Sequence, residues 1–97
     1  MLKKTLAIFI LLISCSAHAY DIKAYCKSVS DAVDGSYVIE RECRLQESQA
    51  KDMLDSMVIP PRVRKYCNSI SVAVGGSYQI EAECINQELQ AKNDMQE

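Results

Sequence analysis

The chain has 97 residues and a formal charge of −2, with one histidine and no tryptophan. It has room for one small domain at most. An acidic balance without a long basic run excludes the phosphate-neutralising surface on which nucleic-acid binding rests.

The first residues read as an export signal. Lys3 and Lys4 form a basic start, Thr5 to Ile13 an apolar run too short to span a bilayer, and Ala17-His18-Ala19 a small-residue cleavage site. Residues 1–19 are therefore expected to be a signal peptide, cut after Ala19. A second processing route competes, because Leu12-Ile13-Ser14-Cys15 resembles the bacterial lipobox, in which Cys15 would be lipidated and become the mature N-terminus. Either route predicts an exported protein, periplasmic or secreted in the first case and an envelope lipoprotein in the second. Membrane association is expected only through lipid on Cys15, since the mature chain offers no transmembrane segment. Removing the leader through Ala19 takes away Lys3, Lys4 and His18 and leaves nine basic residues against thirteen acidic.

The remaining 20–97 segment reads as one domain written twice. YCKSVSDAVDGSYVIEREC, from Tyr25 to Cys43, returns as YCNSISVAVGGSYQIEAEC from Tyr66 to Cys84, 41 positions later. Over Tyr25–Ser56 and Tyr66–Glu97, 18 of 32 positions are identical without a gap. A repeat at one period marks a supersecondary unit used more than once, and two units are expected to pack on each other. We place the units at 20–58 and 59–97, joined through Met57-Val58-Ile59-Pro60-Pro61, whose prolines cannot continue a helix but suit the first turn of the next.

In the first unit Ile22, Cys26, Val29 and Val33 recur with helical spacing, as do Val63, Cys67, Ile70 and Val74 in the second. After the turn, Ile39, Cys43, Gln46, Ala50, Met53 and Met57 continue that period. Ile80, Cys84, Gln87 and Ala91 match them, with Met95 close by. The 40–55 stretch is rich in good helix formers, and Glu47 with Lys51 and Glu88 with Lys92 have the spacing of i, i+4 ion pairs. Asp34-Gly35-Ser36 and Gly75-Gly76-Ser77 separate the helices. Glycine supplies a positive φ there, and Ser36 and Ser77 are expected to cap the helices that follow.

The rival reading is a pair of disulfide-bridged β-hairpins, since Asp-Gly and Gly-Gly are also hairpin turns. Strand alternation mixes Lys27, Asp31, Glu40 and Glu42 with Val29 and Val33 on one face. The helical faces are far more apolar, so helix is preferred.

Four cysteines remain after cleavage, an even number in an exported chain, which points to disulfides. No Cys-x-x-Cys pair is present to suggest zinc. The midpoints of Cys26 and Cys43, and of Cys67 and Cys84, both fall on the turns. Antiparallel helices folded about such turns bring each pair level, so Cys26–Cys43 and Cys67–Cys84 are the expected bridges. The predicted fold is all-α: two tandem disulfide-stapled antiparallel helical hairpins packed as a small four-helix unit.

No catalytic residue, metal ligand or cofactor site is predicted. The mature chain has no histidine to activate a serine, and its cysteines are expected to be oxidised. Glu40, Glu42, Glu47, Glu81, Glu83 and Glu88 read as solvated helix faces, and Gln46, Gln49, Gln87 and Gln90 as polar surface or inter-helix contacts. Tyr37 and Tyr78, after the cap serines, either cover the hairpin ends or serve as aromatic anchors for a partner, and Tyr25 and Tyr66 beside the cysteines read as packing. Arg62, Arg64 and Lys65 stand where a helix N-terminus disfavours cations. They are expected either to lie by the preceding helix's C-terminal end or to form a contact patch. Candidate partner contacts are thus Tyr37, Tyr78, Arg62, Arg64 and Lys65.

The leading functional expectation is a small exported protein-binding module, of the inhibitor or immunity type, that docks a rigid helical surface on an envelope or extracellular protein. A structural or stress-related envelope protein, lipid-anchored through Cys15, is the second, and a thiol–disulfide redox protein the third.

Overall fold

The computed structural model describes residues 19–96. Most of the expected signal peptide, with Cys15 and His18, lies outside the described residues, and Ala19 is exposed at their edge. Four helices follow: α1 (Ile22–Asp31), α2 (Tyr37–Ser56), α3 (Pro61–Ala73) and α4 (Tyr78–Met95). No strand occurs among the described residues, so the β-hairpin alternative is set aside.

Local chemistry accounts for the helix ends. The Asp21 side chain accepts from the Ala24 N–H, and Ser36 and Ser77 accept from Ile39 and Ile80. These bonds satisfy donors that the first turn leaves free. Pro61 opens α3, where a missing N–H costs nothing. Each hairpin turn needs two successive left-handed residues, Asp34 and Gly35 in the first and Gly75 and Gly76 in the second. The Gly35 and Gly76 amides reach back to the Ser30 and Ser71 carbonyls at 2.8 and 2.9 Å. Buried Ser30 and Ser71 then donate their hydroxyls to the Ser36 and Ser77 carbonyls. The repeated serine six positions before each cap thus fixes where the second helix starts.

Both expected disulfides are present, each with Cα atoms 5.5 Å apart. They pin α1 to α2 and α3 to α4. Intramolecular disulfides of this kind fit an oxidising compartment. No helix among the described residues is long and apolar enough to cross a membrane.

The two hairpins join through α2 and α4, with α1 and α3 flanking that seam. The core lies in the seam: Ala50 and Leu54 from α2 meet Val63 and Cys67 from α3 and Tyr78, Ala82 and Ile85 from α4. The buried stripe of α2 is Cys43, Glu47, Ala50 and Leu54. Compared with the stripe read from the sequence, Glu47 and Leu54 replace Gln46 and Met53. On α4 the buried positions are Tyr78, Glu81, Ala82 and Ile85, not the twins of the α2 stripe. The two copies are alike in sequence and bury different faces. Glu47 meets the start of α4, and the α2 residues that join Ala82 and Ile85 in the core, Ala50 and Leu54, lie C-terminal to Glu47. The helices therefore run in the same general direction, with α4 displaced along α2.

Candidate functional site

Two places depart from what a simple helical core would hold. The first is inside the seam. Glu47 is fully buried, and its carboxylate accepts the Ser77 hydroxyl at 2.6 Å, the Tyr78 N–H at 2.7 Å, the Gln79 N–H at 3.3 Å and the Gln79 side-chain amide at 3.2 Å. It is a carboxylate from one repeat placed on the helix N-terminus of the other, where free N–H groups and the macrodipole favour negative charge. The expectation of a solvated Glu47 paired with Lys51 is corrected. Lys51 reaches Asp55 at 3.1 Å, and that contact raises the pKa of its ammonium. Glu88 is exposed and forms no ion pair with Lys92 among the described residues.

Glu81 is also buried, again against the expectation of a solvated face. It accepts the hydroxyl of Tyr20, which in turn accepts the Asn68 side-chain amide at 2.7 Å. Burial, then the hydrogen bond to Glu81, pushes the Tyr20 pKa up to about 12. Tyr20 stacks at a tilt on Tyr78, ring centroids 4.7 Å apart, and its own backbone N–H donates to the Tyr78 hydroxyl at 3.0 Å. Tyr78 is thus a seam residue, 6% exposed, and its reading as a partner contact is corrected. Nothing in the repeat pattern singles out Tyr20. It lies outside the aligned copies, and its positional twin is Pro61.

The second place is the free end of the first hairpin. Tyr37, the twin of Tyr78, is 87% exposed, beside Val38 at 60%. Its expected packing over the hairpin end does not form. No acceptor among the described residues takes the Tyr37 N–H. Tyr37 shares a shallow depression with Glu40, Arg41 and Arg44, where Arg44 holds Glu40 at 2.6 Å and Arg41 meets Glu42 at 3.4 Å. Arg62 and Lys65 are exposed, and Arg64 is half-buried. Arg62 lines a groove of about 520 Å³ with Tyr66, Glu88, Ala91, Lys92 and Met95. Tyr66 is half exposed, whereas Tyr25 lies against Gly75.

Burial of Tyr78 removes one candidate contact, so the structure separates the sequence-derived candidates into Tyr37 at one end and Arg62, Arg64 and Lys65 toward the other. No family model, no curated protein and no solved structure matches this chain.

Proposed function

We propose that the protein is a small exported binding module, of the inhibitor or immunity type, that docks the Tyr37 end of its first hairpin on an envelope or extracellular protein. The observation that carries this reading is the exposure of Tyr37 and Val38 at a helix terminus whose buried twin shows what such a terminus accepts. An aromatic ring, an aliphatic neighbour and two flanking arginines make a surface of the composition that binding hot spots favour. The Cys26–Cys43 bridge supports the reading further, because it fixes α1 against α2 and so lowers the ordering cost of association.

The test is retention of envelope proteins on the immobilised processed chain. We expect one stoichiometric partner that is retained by the natural chain, lost with Tyr37→Ala and kept with Val58→Ala, a change at an equally exposed linker residue. Equal retention by the Tyr37→Ala variant would reject this surface.

A further inference from the structure

The seam joins two different surfaces of one repeated unit, the C-terminal half of α2 and the N-terminal half of α4. Such a heterologous contact leaves the complementary surface unused on each unit. The unused surfaces are the α2 N-terminus around Tyr37 and the groove of the second hairpin around Glu88. We propose that a second copy of this chain covers them, the Asp34–Val38 turn of one copy seating in the Tyr66, Glu88, Ala91 and Met95 groove of the next. Glu88 then takes on the α2 N-terminus the place that Glu47 takes on α4. The proposal goes beyond the envelope-partner reading: the two share only the exposed Tyr37 end, and a second copy seated there excludes an envelope protein from it.

The correspondence is positional first. Glu47, Ala50 and Leu54 form the cradle that receives Tyr78 within the chain, and their twins are Glu88, Ala91 and Met95. All three twins are exposed, and they line the groove. The cap serine, the tyrosine and the two left-handed turn residues that enter the cradle recur at Ser36, Tyr37, Asp34 and Gly35. A Cβ on Gly35 would meet nothing within 4 Å, whereas one on Gly76 would stand 2.9 Å from the Tyr20 ring. The first turn is therefore an uncovered version of the second.

The places where the copies differ carry the second argument, because the changes come in complementary pairs. Met53 and Ala82 line one groove along the seam, an apolar pair. Their twins are Asp94 and Arg41. Asp21 and Ala24 share another groove with Gly75. Their twins are Arg62 and Lys65, and the twin of Gly75 is Asp34. A contact between copies built like the seam would set Arg41 against Asp94 and Arg62 and Lys65 against Asp34. Opposite charges at an interface fix register and favour encounter. The same arrangement gives the basic cluster at the start of α3 a role that the isolated chain does not.

Two differences make the contact between copies weaker than the seam. Arg44 stands where Ile85 does and holds its guanidinium on Glu40, so it offers only its aliphatic stem to Met95. Pro61 stands where Tyr20 does and cannot donate an N–H to the tyrosine hydroxyl. Association is therefore reversible and salt-sensitive.

Sedimentation velocity of the processed protein, purified from secreting cells, tests this over a concentration series. The natural chain is expected to form oligomers that grow with concentration and dissociate in high salt. Tyr37→Ala, which disables the turn, and Glu88→Lys, which disables the groove, should each weaken association about thirtyfold. Both side chains are exposed, so circular dichroism and melting temperature should stay unchanged. An equimolar mixture of the two variants should give a heterodimer and nothing larger, since one copy retains its groove and the other its turn. Arg41→Asp and Asp94→Arg should each impair assembly, and the double variant should restore it. A chain that stays monomeric at every concentration, oligomers that persist in both variants, or a mixture that stays monomeric would overturn the proposal. A monomeric chain that still binds an envelope protein through Tyr37 would overturn self-association alone and leave the docking reading standing. Oligomers without any envelope partner would do the reverse.

Discussion

The Glu47 carboxylate accepts the Tyr78 backbone N–H at 2.7 Å, so the first repeat supplies a cap for a helix of the second. Its twin Glu88, flanked by the matching Gln87, Gln90 and Ala91, stands exposed. Removing Glu47 leaves buried donors at Ser77 and Tyr78, and a half-buried one at Gln79, without an acceptor. We expect Glu47→Ala to destabilise the fold by about 3 kcal/mol, from the loss of charge-assisted bonds and of a helix cap. Glu88→Ala should change stability of the monomer by no more than about 0.5 kcal/mol. Urea unfolding of the two variants checks the contrast, and equal effects would refute the capping role.

Tyr20 makes an alkaline prediction. Its folded-state pKa, about 12, lies above the ordinary value of 10.0, so the folded protein holds this proton more tightly than the unfolded chain does. Stability from this group is fully present below pH 10 and is lost as pH rises toward 12. Other groups titrate in that range, so the informative quantity is the stability gap between the natural chain and Tyr20→Phe. The gap should be constant from pH 7 to 9 and narrow above pH 10. Denaturant midpoints measured across that window check the sign, and a gap that widened would contradict it.

Much of this architecture is written in the repeat. The period, the cap serines and the position of each turn at its cysteine midpoint predict the hairpins and their bridges from local rules. The relation between hairpins is not local. A charged glutamate on a helix is ordinarily solvated, and Glu47 and Glu88 occupy the same position of the repeat. Only the displacement of α4 along α2 decides which is buried, and no pattern of period 3.6 encodes that displacement. The same applies to Tyr37 and Tyr78. A clue lay in the substitutions between copies: Arg41 and Arg44 become Ala82 and Ile85, which marks the second copy's face as the one facing inward. Tyr20 could not be found by comparing copies, because its place in the second unit is taken by Pro61.

The two turn glycines with different surroundings offer a controlled comparison. Gly35 and Gly76 both have positive φ, 77° and 84°, so alanine pays a similar backbone penalty at each, about 1 kcal/mol. At Gly35 the added methyl meets open space, and at Gly76 it runs into the Tyr20 ring. Gly76→Ala should therefore cost at least about 1 kcal/mol more than Gly35→Ala. In a Tyr20→Ala background the two should cost the same. A double-mutant cycle in thermal unfolding measures that coupling, and its absence would mean that Tyr20 does not hold the second turn.

The disulfides should contribute unequally although each closes a loop of the same sequence separation, 17 residues. Loop-closure entropy alone gives about 3 kcal/mol for either bridge. Cys67 also belongs to the seam core with Val63 and Ile85, and Cys84 packs against it, whereas Cys26 and Cys43 lie outside that cluster. Replacing Cys67 and Cys84 with alanine therefore removes packing from the surface that unites the hairpins as well as a covalent link. We expect that double variant to lose at least about 1 kcal/mol more than the Cys26→Ala, Cys43→Ala variant. The difference should persist when stability is measured by urea unfolding at neutral pH. Equal losses would place the main stabilising packing outside the seam. A larger loss from the first pair would show that the first hairpin, rather than the contact between hairpins, limits the stability of the fold.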